Sequence, residues 1–185
     1  TTQDVYEQYR VGGHLNKVLE GAKNIVKWKK ELKSKNPFVV FQFLVVKPNE
    51  HQLNDVKNLA REIGVDDVWF KTAQVYDYEN DPNQLIPSIS KYSRYKKNSQ
   101  GQTVPKNALQ NHCWKLWHSN VITWDGLVVP CCFDKDAMHQ LGNLKMQSFK
   151  EVWHNDNYKQ FRRELMTSRK NIDICANCSE GLSVW

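Results

Sequence analysis

The sequence predicts an α/β fold for the first half of the chain and a small α+β unit for the second. Three observations carry this. A nearly continuous apolar, β-branched and aromatic run fills positions 38 to 46, a second strand-like segment covers 67 to 72, and all five cysteines fall after residue 112.

Taken in order, Leu15, Val18, Leu19, Ala22, Ile25, Val26 and Leu32 recur at the three-and-four spacing of an amphipathic helix that should stop near Asn36-Pro37. Phe38 to Val46 then reads as a strand buried on both faces of a parallel sheet. Asn49 and Gln52 resemble a capping box, Leu53, Val56, Leu59, Ala60 and Ile63 mark a second helix, and Gly64 can close it in a left-handed conformation. Asp67 to Thr72 supplies the second strand. Helix, strand, helix, strand implies a right-handed crossover between parallel strands. Two strands leave edges unpaired, so this half is expected to borrow strands from a missing segment or a partner chain.

From Tyr76 to about His112 the pattern dissolves into prolines, serines and lysines, which reads as a connecting region. The expected division is therefore 1–75, 76–110 and 111–185. In the last part, Ser119 to Trp124 and Leu127 to Cys131 flank Asp125-Gly126, the signature of a tight hairpin. With a two-residue turn there, Cys131 would face Asn120. Ser148 and Glu151 form a capping box ahead of Phe149, Val152 and Trp153, and a further helix runs through Tyr158, Phe161 and Leu165 toward Ile172.

Composition narrows the function classes. The 185 residues are 25% charged with a net charge of +6, and no run approaches the roughly 20 apolar residues of a membrane helix. A membrane partner is not expected, no signal peptide is visible, and a cytoplasmic location follows as an expectation. Residues 17 to 35 hold seven lysines against Glu20 and Glu31. Without a recognised binding motif beside them, these read as a solvated helix face rather than a nucleic-acid surface.

Cys113, Cys131, Cys132, Cys175 and Cys178 are the candidate site. An odd count and a Cys-x-x-Cys loop argue against structural disulfides. Thiolates from separate segments can hold zinc or an iron-sulfur cluster, and spacing alone does not choose. Cys131 and Cys132 are neighbours whose side chains point to opposite faces of a strand, so one of them is the ligand and the other an alternate. His112, His118, His139 and His154 are read as surface or hydrogen-bonding residues, and Trp114, Trp117, Trp124 and Trp153 mainly as core.

Cys113, twelve residues, Gly126, four residues, Cys131 resembles the opening signature of SPASM and twitch domains, the C-terminal modules of many radical SAM enzymes. Trp124-Asp125-Gly126, Pro130-Cys131-Cys132, Gly142-Asn143-Leu144, Trp153 and Cys175-x-x-Cys178 extend the resemblance over about residues 111 to 182. The resemblance implies an auxiliary 4Fe-4S cluster on Cys113, Cys131, Cys175 and Cys178. A full SPASM module carries seven cysteines, so the one-cluster variant is the expected one. By the same resemblance the first half is the tail of a partial (β/α)6 radical SAM barrel. S-adenosylmethionine and a second 4Fe-4S cluster then belong to the intact enzyme, on a Cys-x-x-x-Cys-x-x-Cys loop that these residues lack. The missing barrel half, an electron donor and a peptide or protein substrate are the implied partners.

Overall fold

The computed structural model describes residues 1–107, 109–178 and 180. The chain divides into two compact units, Thr1–Lys106 and Asn107–Trp185.

In the first unit, α1 (Gln3–Glu7) and α2 (Leu15–Glu31) precede β1 (Val40–Val45), and α3 (Leu53–Ile63) leads into β2 (Asp67–Thr72). The strands pair in parallel with Val40 opposite Asp67 and Val45 opposite Thr72, so the β-α-β unit expected from the hydropathy pattern is present. Gly64 ends α3 at φ +87°, the left-handed value that glycine tolerates best. Ala22, Val26 and Ile63 bury the α2–α3 contact, while Phe43, Val45 and Val56 join α3 to the sheet. Lys29 on α2 grips the Asp66 carboxylate at 2.5 Å, and Asp66 also accepts the Val39 amide at 2.7 Å, fixing the helix to the entry of both strands.

Two expectations need correcting here. Asn49 and Gln52 do not cap α3. A tight 3-10 turn, Lys47–Gln52, intervenes, and fully buried Asn49 accepts the Val46 amide at 2.9 Å and donates to the Leu44 carbonyl at 2.9 Å. Its side chain is used by groups that the end of β1 would otherwise leave unpaired. Second, β1 is not buried on both faces: Gln42 is exposed, and β2 alternates exposed and half-buried positions. The connecting region also carries an antiparallel hairpin of β3 (Tyr95–Lys97) and β4 (Thr103–Pro105). The Asn98 side chain closes it, accepting the amides of Gln100 and Gln102, in a segment whose polar composition hides any period-2 signal.

The second unit contains a 3-10 turn (Trp114–Trp117), a three-stranded antiparallel sheet of β5 (Val121–Ile122), β6 (Leu127–Val129) and β7 (Gly142–Asn143), then α4 (Phe149–His154), α5 (Asp156–Ser168) and α6 (Asp173–Ala176). Ser148 and Glu151 form the capping box read from the sequence, and Asn155 caps α5 through the Tyr158 amide at 2.8 Å. Its other arm donates to the Leu141 carbonyl at 2.7 Å, tying α5 to the sheet. Leu116, Val128, Leu141, Val152, Tyr158, Phe161, Leu165, Ile172 and Cys175 make one core.

The hairpin register differs from expectation by one residue. Val121 pairs with Val129 and Ile122 with Val128, which closes a three-residue loop, Trp124 to Gly126. Gly126 takes φ +89°, and the Thr123 hydroxyl accepts the Leu127 amide at 3.0 Å. A turn followed by a left-handed glycine bulge absorbs the extra residue, so the two-residue register that would set Cys131 opposite Asn120 is not the one formed. Trp124 sits at the loop tip, 98% exposed, and Trp117 is 43% exposed. The core role expected of these tryptophans fails for both, because a hairpin tip and a surface 3-10 turn leave the rings open to solvent, with Arg162 over one face of Trp117 at 5.9 Å.

Candidate metal centre

Each cysteine is delivered by a different local device. Cys113 caps the 3-10 turn at Trp114, Cys131 follows Pro130 at the end of β6, Cys175 lies within α6, and Cys178 follows its last turn. Cys175 and Cys178 are buried, Cys113 and Cys131 are half-buried, and Cys132 is exposed. The alternation between neighbours thus turns Cys131 inward and Cys132 out.

Electrostatics links the inward sulfurs. Burial raises the Cys175 thiol to about 12, Arg169 opposes that rise, and the charges of Cys131, Cys178 and Cys113 add to it. Burial likewise raises Cys131 to about 11, partly offset by the amides of Phe133 and Asp134, with Cys132 and Cys178 contributing. Cys178 is raised by burial, opposed by the Glu180 amide and Arg169, and raised further by Cys113. Cys113, Cys131, Cys175 and Cys178 therefore lie within one electrostatic neighbourhood, in which separate thiolates would repel unless a cation joined them. Among the described residues, no group of three or more Cys, His, Asp or Glu has the spacing to hold a single metal ion.

Backbone N–H groups point at the sulfurs. The Glu180 amide donates to Cys178 Sγ at 3.3 Å, and the Phe133 and Asp134 amides serve Cys131. Such donors favour the thiolate and are common around sulfur-ligated metal. The turn after Cys131 is held by Asp134, 3% exposed, whose carboxylate accepts the Met138 and His139 amides at 2.8 and 2.9 Å.

Sequence reasoning missed Arg169. Its side chain is 0% exposed and donates to the His112 carbonyl at 2.6 Å, the Cys178 carbonyl at 3.3 Å and the Glu180 carbonyl at 2.8 Å. It thereby joins the segments that carry Cys113 and Cys178. The signal was available: Phe161, Leu165 and Arg169 follow at four-residue intervals on the apolar stripe of α5 and its extension. The histidines are otherwise engaged, His139 Nε2 with Asp173 at 2.7 Å, His154 Nδ1 with the Lys150 carbonyl at 2.8 Å, and His118 against the Trp114 ring. Lys47, near the carboxyl end of β1, pairs with Glu50 at 2.7 Å, in keeping with an ordinary strand-end residue.

Residues 113–179 match the sequence profile of SPASM, an iron-sulfur cluster-binding domain. The matched segment holds all five cysteines. Two relatives are similar to parts of this chain. The S-adenosyl-L-methionine-dependent 2-deoxy-scyllo-inosamine dehydrogenase of Niallia circulans is 37% identical over 60 residues, 32% of this chain and 24% of its own. The tungsten-containing aldehyde ferredoxin oxidoreductase cofactor-modifying protein of Pyrococcus furiosus is 24% identical, with 86% of this chain and 51% of the relative covered. This chain spans about half or less of the length of the curated relatives that it matches. A crystal structure of BtrN in an open conformation aligns with 76% of this chain and 56% of its own at 19% identity and a TM-score of 0.35, too low a similarity to speak for the fold. The resemblance to a SPASM module read from the cysteine, glycine and tryptophan spacing falls on the same residues as the profile match. Among the described residues, no helix is long and apolar enough to cross a membrane.

Proposed function

We propose that this chain is the C-terminal portion of a radical SAM oxidoreductase or maturase whose SPASM domain binds one auxiliary 4Fe-4S cluster through Cys113, Cys131, Cys175 and Cys178. The observation that carries the reading is the match of residues 113–179 to the SPASM profile, in a segment where Cys175 and Cys178 are buried, Cys113 and Cys131 half-buried and only Cys132 exposed. The donor set fits the group. It offers soft sulfur ligands, N–H donors aimed at two of them, and a core that keeps water away. The same four sulfurs could hold zinc, and the match to an iron-sulfur cluster-binding profile is what favours the cluster.

When bound, such a cluster supplies one-electron transfer. With cysteine at every ligand position the chain's own residues insulate, orient and tune, and direct attachment of a substrate to iron is disfavoured. The β1–α3–β2 unit, half-covered and two-stranded, is proposed as the tail of the partial barrel, with the rest of the intact protein supplying further strands and the residues that bind S-adenosylmethionine. A peptide or protein remains the proposed substrate class from the family resemblance. The relatives' names, an inosamine dehydrogenase and a cofactor-modifying protein, favour a small hydroxylated molecule or cofactor as the second reading.

The test is anaerobic reconstitution with iron and sulfide, followed by metal and acid-labile sulfide analysis. About four of each per chain are expected for the wild type. Cys175→Ser should lose most of both, and Cys132→Ser should keep them. One zinc per chain with no sulfide, under conditions where iron and sulfide were supplied, would overturn the assignment.

A further inference from the structure

Arg169 is a buried cation without a carboxylate partner among the described residues. Its guanidinium donates to the neutral carbonyls of His112, Cys178 and Glu180, and among the described residues its buried Nε has no acceptor. Taking a guanidinium fully out of water costs several kcal/mol unless an opposite charge repays it. A cluster held by the four cysteines would supply opposite charge within the same unit. Arg169 Nη2 lies 3.3 Å from the carbonyl oxygen of Cys178, one of the proposed ligands.

The position is also rigidly built. The Arg169 amide donates to Asn111 Oδ1 at 3.0 Å, and Asn111 Nδ2 donates to the Thr167 carbonyl at 2.8 Å, locking the end of α5 to the chain just before Cys113. Five side-chain donors in a fixed fork let one guanidinium hold carbonyls on either side of the site while presenting its charge to the sulfurs. Lys115, the other cation in this neighbourhood, is satisfied at the surface by Glu180 at 3.0 Å.

We propose that Arg169 is a positioning and charge-compensating residue for the SPASM cluster, its buried guanidinium balancing the tetrathiolate centre and raising its reduction potential. This rests on the cluster assignment above. Four thiolates around an iron-sulfur core leave a net negative charge that grows by one electron on reduction. A fixed positive charge beside it stabilises the reduced state more than the oxidised state.

The experiment uses the full 185-residue chain, reconstituted anaerobically as wild type, Arg169→Lys, Arg169→Gln and Arg169→Met. Iron and sulfide are measured first, then the midpoint potential by spectroscopically monitored redox titration. Arg169→Gln and Arg169→Met should shift the one-electron equilibrium toward the oxidised form by about tenfold or more, a potential about 59 mV or more lower. Arg169→Lys should stay near wild type. Loaded Gln and Met variants with the wild-type potential would overturn the proposal, because a merely structural clamp would leave the potential unmoved. Should Gln and Met fold but take up no cluster while Lys does, the charge is required and the proposal stands. Failure of all three variants, Lys included, would show that shape rather than charge is used, and the proposal falls. A wild-type chain that takes up neither iron nor sulfide refutes the cluster assignment itself, a separate outcome read before any variant is compared.

Discussion

Gly142 sits in β7 where α4 crosses it, and a methyl group added there would find no room. A Cβ built on Gly142 lies 2.5 Å from Val152 Cγ2, 2.7 Å from Cγ1 and 3.1 Å from Cβ. Ordinary carbon contacts are about 3.5–4.0 Å, so the shortfall is roughly 1 Å. Rotating Val152 cannot relieve it, since both γ carbons and the β carbon are implicated and the residue is 0% exposed. The helix must move off the sheet instead. Overpacking of this kind costs about 1–3 kcal/mol, while replacing glycine recovers about 0.4–1 kcal/mol of unfolded-state entropy. Gly142→Ala should therefore destabilise the SPASM unit by about 1–2 kcal/mol. Urea unfolding followed by circular dichroism should show a lower midpoint at unchanged slope. Adding Val152→Ala should recover part of the loss, with a coupling of about 0.5–3 kcal/mol in the double-mutant cycle. An unchanged or raised midpoint in Gly142→Ala, or simple additivity in the double variant, would refute the close-packing argument.

Other outcomes follow from the same structure. Without iron, the Cys131 and Cys175 thiols have folded pKa values of about 11 and 12 against an ordinary 9.0, so they contribute no pH dependence well below 9 and destabilise the fold as pH rises through 9 toward 12. The urea midpoint of the iron-free chain should fall over that range, and a flat profile would contradict the burial of these thiols. In the first unit, burial of Glu50 opposes its ionisation, but hydrogen bonds from Lys47, Ser88 and Ile89 outweigh it and bring the pKa to about 2. Its stabilising effect is complete above 4.5 and is lost as pH falls toward 2, and Glu50→Gln should cost about 1–3 kcal/mol at neutral pH, read as a lower urea midpoint. Ser148→Ala removes an acceptor of the Glu151 amide and should cost about 1 kcal/mol in the same assay, with Ser148→Asp near wild type.

Much of this architecture is legible in the residues alone, because it rests on local periodicity and local hydrogen bonding. The three-and-four spacing of Leu15 to Leu32 yields α2, the β-α-β order yields a parallel pair, and Ser148 with Glu151 starts α4 as a capping box should. Clustering of the cysteines after residue 112 and their spacing about Gly126 point to the SPASM module before any coordinates are considered. These signals survive because each is carried within a few turns of chain.

What the tertiary structure decided is where long-range packing or a single residue of register matters. Asn49 could cap a helix or finish a strand, and only the buried carbonyl and amide at the end of β1 choose the latter. The hairpin could close on two residues or three, and the choice alters which residue faces Cys131. An arginine on a helix end is ordinarily solvated. Only the convergence of α5, the segment before Cys113 and the segment after Cys178 turns Arg169 into a buried charge beside the sulfurs. Burial depends on neighbours distant in sequence, which is why composition and spacing point to candidate ligands but not to Arg169.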